Sequence, residues 1–160
     1  MPPLVAKFLR WATRSPWHTF AAAFAAASGV SLPLLALLEF LGAENQELAN
    51  GVPAFELTPL LALAIGPLYE TLLLAVFLAL VRKALARPLY VALLAGVGFG
   101  LLHLGNSSLA PVVSGWNFFV WSAFYQHWRP TSWATAFCAA WVPHSLHNAL
   151  AYALSLYGET

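Results

Sequence analysis

Charge is what this 160-residue sequence has least of: Asp, Glu, Lys and Arg together make up 8% of it, against about 25% in an ordinary soluble domain. That shortage excludes a water-soluble globule, because the hydrophobic fraction reaches 61% and the mean hydropathy +0.73. Aspartate is missing altogether; six glutamates stand against seven Lys and Arg. A net charge of +1 leaves no basic surplus to hold a phosphate backbone, so nucleic acid is not the partner. A single cysteine, Cys138, cannot form an internal disulfide, and in its apolar run it has the character of a small hydrophobe.

What the sequence has instead is long apolar runs. A hydrocarbon core about 30 Å thick takes around 20 mostly apolar helical residues to cross, and five runs of that kind are bounded by charges or turn residues: His18 to Leu41, Leu60 to Val81, Leu89 to Leu104, Ala110 to Gln126, and Ser132 to Tyr157. They are rich in Leu and Ala and lack period-two alternation, which argues against strands. The expected fold is all-α, a multi-pass transmembrane bundle of five spans forming one domain over residues 1–160.

The charges between the runs sort by sign. Lys7, Arg10 and Arg14 precede the first run, Arg82, Lys83 and Arg87 join the second to the third, and Arg129 joins the fourth to the fifth. Glu39, Glu44, Glu47, Glu56 and Glu159 fall at the opposite ends. By the positive-inside rule this predicts an integral membrane protein, at the cell membrane, with its N-terminus in the cytoplasm and its C-terminus outside. In residues 1–16, Leu4, Val5, Phe8 and Trp11 share one helical arc and Lys7, Arg10 and Arg14 another, as a helix lying on anionic lipid requires. The apolar run that follows is far longer than the roughly 7–15 residues of a signal-peptide core, so this segment is expected to be retained. Ala21 to Ala27 and the pair Gly96 and Gly100 read as sites of close helix packing.

Ionisable groups inside such runs carry the functional signal, since a charge at mid-membrane costs about 2.5–3.5 kcal/mol even on the lenient insertion scale. Four qualify: Glu70, His103, His144 and His147, with Asn148 beside the last. At about 1.5 Å of rise per residue, Glu70 lies roughly 18 Å from Arg82, His103 roughly 24 Å from Arg87 and His144 roughly 22 Å from Arg129, so the three share a layer. His144 and Asn148, spaced i,i+4, face the same way. This set suits amide hydrolysis: Glu70 as general base on a water, His103 orienting that water or sharing its proton, His144 and Asn148 donating to the oxyanion.

The same residues carry a family resemblance. Gly66-Pro67-Leu68-Tyr69-Glu70-Thr71 is similar to an EExxxR segment, Phe99 to His103 matches FxxxH, and His144 to Asn148 matches HxxxN. In that order they resemble the CAAX protease and bacteriocin-processing family, the glutamate-dependent intramembrane proteases that include the Ras-converting enzyme, over residues 60–154. The resemblance implies catalytic roles for Glu70, His103, His144 and Asn148, no metal or other cofactor, and a protein or peptide substrate held in the membrane. Thr71 stands where the family has a second glutamate and Ala75 where it has arginine.

Other readings use the same residues. Glu70, His103, His144 and His147 are a conceivable metal ligand set, although no H-E-x-x-H is present. Ser114-Gly115 with a distant histidine suggests a serine nucleophile, against a plainer reading as a polar loop near the outer boundary. Gly96, Gly98 and Gly100 follow no strand and make no nucleotide loop. Asn106-Ser107-Ser108 is formally a glycosylation acceptor. From another class come a non-catalytic membrane partner, such as an immunity or sorting factor, and a proton-coupled transporter, the latter disfavoured by the lack of repeated halves.

Overall fold

The computed structural model describes residues 3–40, 59–104 and 110–158. Among them every regular element is helical: α1 (Pro3–Ala12), α2 (Pro16–Phe40), a single π-helical turn (Leu61–Ile65) running directly into α3 (Gly66–Val81), α4 (Pro88–Leu102), α5 (Ala110–Trp128) and α6 (Trp133–Gly158). The five long elements match the five apolar runs to within a few residues at each end. The segment bearing Glu44, Glu47 and Glu56, the Asn106-Ser107-Ser108 acceptor and Glu159 lie outside the described residues.

Local chemistry explains the helix starts. Proline occupies the first or second position of α1, α2, α4 and α5, where its missing N–H is one the helix would leave unpaired anyway. Two starts are also capped by serine: Ser15 Oγ accepts from the N–H of His18 at 3.4 Å, and Ser132 Oγ accepts from Thr135 at 3.2 Å.

Helix α5 is the hub, packed along α4 and against α6 and α2. Its contact with α4 is close because three glycines meet there. A Cβ on Gly96 would stand 2.7 Å from the carbonyl oxygen of Gly115, and one on Gly100 would stand 2.5 Å from that of Pro111. The small-residue pair is therefore a packing device, completed by Gly115. Helix α2 approaches through the small face Ala22, Ala23 and Ala27, all buried. Trp116 and Trp128 fix that approach, their indole N–H groups donating to the Ala26 carbonyl and to Thr19 Oγ1, both at 2.9 Å. Thr19 in turn donates to the Ala12 carbonyl at 2.7 Å and so ties α1 to α2.

Helix α3 is attached differently. It packs on α6, touches α4 more sparingly and stands off α5. Its outward residues Leu72, Leu73, Val76 and Leu80 are exposed, as are Leu89, Leu93, Leu94, Val97 and Leu101 of α4. The helical stretch Leu61–Val81 is long and apolar enough to cross a membrane, and among the described residues it alone meets both conditions; Pro88–Leu102 is apolar but shorter. Ser114-Gly115 corrects the sequence reading: the pair lies inside α5, not in a loop.

Candidate functional site

Four helices bring the polar residues together. Glu70 and His144 meet with the imidazole Nε2 3.5 Å from the carboxylate Oε2. They line a cavity of about 180 Å³ whose walls also include His103, His147, Asn148, Asn117 and Ser114. That is room for several waters beside groups able to bind them. The carboxyl side chain is 34% exposed and the His144 side chain 5%, so Glu70 is the group that reaches the opening.

Each side chain is held by the element that bears it. His103 terminates α4, and its Nδ1 lies 2.7 Å from the Phe99 carbonyl one turn back. A carbonyl only accepts, so Nδ1 carries a proton toward Phe99, and this bond leaves Nε2 uncommitted. His144 stacks on Trp121 at 4.0 Å and meets the edge of Phe118, which itself stacks on Phe99. Its Nδ1 is buried and, among the described residues, has no partner. A buried lone pair is tolerated better than a buried orphan N–H, which places the proton on Nε2, facing Glu70. Pro143 comes just before it in α6 and donates no backbone hydrogen bond there.

Asn148 is engaged in a way the sequence did not indicate. Its amide donates to the Ala62 carbonyl at 3.1 Å, in the π-helical turn ahead of Glu70. In that turn Gly66 N–H bonds to the Leu61 carbonyl, five residues back. The next N–H in the series would serve Ala62, but residue 67 is proline and has none. Asn148 supplies the missing donor and pins α6 to the start of α3. Its second amide hydrogen is uncommitted by this bond, and the residue still lines the cavity.

His147 and Asn117 extend the polar wall. Asn117 Nδ2 lies 3.1 Å from His147 Nε2, and His147 Nδ1 lies 2.9 Å from Ser28 Oγ. The amide donates, so Nε2 accepts and Nδ1 must donate to Ser28. Both imidazole nitrogens are thereby committed, and among the described residues no three His, Cys or acidic side chains are grouped as a metal would need. Asn117 is 3% exposed, and its Oδ1 is buried without a partner among the described residues. Sequence reasoning singled out ionisable groups and passed over Asn117 and Ser28, although an amide amid the aromatic run Trp116 to Phe119 was a visible signal. Ser114, expected near the outer boundary, also lines the cavity. His144 Nε2 faces Glu70 and His147 is occupied on both sides, so neither imidazole is offered to Ser114 as a base.

Thr71 is almost fully buried and Ala75 is 9% exposed. Neither supplies the second carboxylate or the guanidinium of the resembling motif. No family model, curated protein or solved structure matches this chain.

Proposed function

We propose that the chain is a glutamate-dependent intramembrane endopeptidase of the CAAX protease and bacteriocin-processing family, built as a five-span helical bundle with α1 lying at the basic interface. The observation that carries the reading is the meeting of Glu70 with His144 at 3.5 Å in a cavity shared with His103 and two amides. The membrane half is supported by the outer faces of α3 and α4, where rows of Leu and Val are exposed. A helix apolar on every side belongs in a large core or in lipid, and among the described residues these faces have no core to enter.

The chemistry follows from the proton positions. Glu70 accepts a proton from a water that His103 Nε2 orients, and the water oxygen attacks the peptide carbonyl carbon. The oxyanion of the tetrahedral intermediate accepts from His144 Nε2–H and from the free amide hydrogen of Asn148. Asn117 Oδ1, buried without a partner among the described residues, accepts the N–H of a substrate peptide entering the cavity. Glu70 then returns its proton to the departing nitrogen, the C–N bond breaks, and a carboxylic acid and an amine form, which leave as carboxylate and ammonium once the acid's proton passes to the amine. The substrate is a membrane-embedded or lipid-anchored protein cut near its anchored end, and the site lies in the cell membrane with the N-terminus cytoplasmic.

A second reading is favoured by Thr71 and Ala75: a first motif without its second glutamate and arginine suits a non-catalytic partner that holds another protein's membrane segment. Glu70→Gln separates the two. Mass spectrometry of peptide termini in membranes of cells expressing either form at equal abundance should show termini next to membrane anchors that vanish with the variant. Identical termini with and without the carboxylate would overturn the protease and leave the binder.

A further inference from the structure

Another cavity lined by described residues lies toward the basic end of the bundle, away from Glu70. About 260 Å³ in volume, it is lined by Ala75, Leu78, Ala79 and Arg82 of the α3 side and by Tyr125 and Arg129 of the α5 side. It exists because α3 stands off α5 and because Ala75 and Ala79 leave the space a larger side chain would fill. The Tyr125 residue is 3% exposed yet lines this cavity, so its phenol is a buried polar group at the cavity wall.

Two guanidinium-bearing residues therefore flank one cavity, and among the described residues no acid balances them. The sequence has no aspartate, and its glutamates are residues 39, 44, 47, 56, 70 and 159. Among the described residues the one acidic contact is Glu70 with His144, and neither Arg82 nor Arg129 has an ion-pair partner. Two planar guanidiniums and a phenol are donors suited to a phosphate, whose oxygens they can bridge. The volume is below the roughly 300–1,000 Å³ of pockets for drug-sized ligands, which suits a headgroup rather than a whole lipid. The apolar floor of Leu78, Ala75 and Ala79 is where the first methylenes of an attached chain would lie.

We propose that the cavity between α3 and α5 is a binding site for a phosphate ester, carried by an anionic phospholipid headgroup and held by Arg82, Arg129 and Tyr125. Basic pockets between membrane helices on the cytoplasmic side take such headgroups. The lipid source rests on the membrane reading above; the phosphate site stands on the residues alone.

The test is thermal unfolding and native mass spectrometry of the full chain in detergent, with phosphatidylglycerol, phosphatidylcholine or inorganic phosphate added separately. Phosphatidylglycerol should stay bound and raise Tm by about 5 °C or more at about 100 Kd, and phosphatidylcholine should not. The gain should vanish in Arg82→Gln/Arg129→Gln and persist in Lys7→Gln/Arg10→Gln, which removes the same charge from α1. Because Ala79→Leu fills the cavity while leaving both arginines, it should also abolish binding. Inorganic phosphate alone reproducing the full shift would keep the phosphate site and overturn the lipid source. Equal binding by the Arg82/Arg129 variant, an equal loss in the α1 control, or unchanged binding by Ala79→Leu would overturn the proposal.

Discussion

At the scale of the residue, the site depends on where single protons and amides are committed. Asn117 and Ser28 fix the His147 ring between them. Leaving a buried imidazole nitrogen unpaired costs about 1–3 kcal/mol, so Asn117→Leu should lower stability by that amount in a denaturation experiment. Ser28→Ala should cost less, and the double variant should show a coupling of about 0.5–3 kcal/mol. Full additivity of the two would show that the chain of bonds through His147 does not exist. The ionisable members of this site are legible in the sequence: Glu70, His103 and His144 are costly groups in apolar runs at matching depths. Asn117, Ser28 and Ser114 are not, because an uncharged polar residue costs less to bury, and the face it occupies is set by how its helix is rotated. That rotation is decided by packing partners far away in sequence.

At the scale of the element, the helices themselves were readable as apolar runs ended by Arg, Lys and Pro, and their observed limits agree closely with that reading. The π-helical turn was not readable, since it results from a conflict between Pro67 and a carbonyl that only Asn148, about eighty residues later, resolves. Asn148→Leu should loosen the start of α3, seen as faster amide hydrogen exchange from Ala64 to Gly66 with α5 unaffected. Unchanged exchange there would mean that α3 is docked by its other contacts alone. The α4–α5 crossing offers an internally controlled test. Gly96→Ala pushes a methyl group against the Gly115 carbonyl and should cost about 1–3 kcal/mol, whereas a Cβ on Gly98 meets nothing nearer than Phe77 at 3.9 Å and its alanine variant should be tolerated. Equal effects from the two substitutions would contradict the close crossing.

At the scale of the whole molecule, two cavities lined by described residues differ in chemistry. One holds the acid, the imidazoles and the amides; the other is flanked by two arginines. Helix α3 borders both, and it is also the helix held apart from the central α5. The exposed Leu and Val of α3 and α4 require lipid around them in the proposed five-span arrangement. The chain should accordingly stay in the membrane pellet through alkaline carbonate washing; release into the soluble fraction would remove the membrane from the account. The most direct test of the proposed hydrolytic centre is a rate. The purified chain, reconstituted in vesicles with a lipid-anchored peptide library, should release peptides cut next to the anchor, and Glu70→Gln of unchanged helical content should release them about 10²–10⁴-fold more slowly, the usual worth of a general base. Equal rates from the two proteins would contradict the assignment of Glu70 as the base.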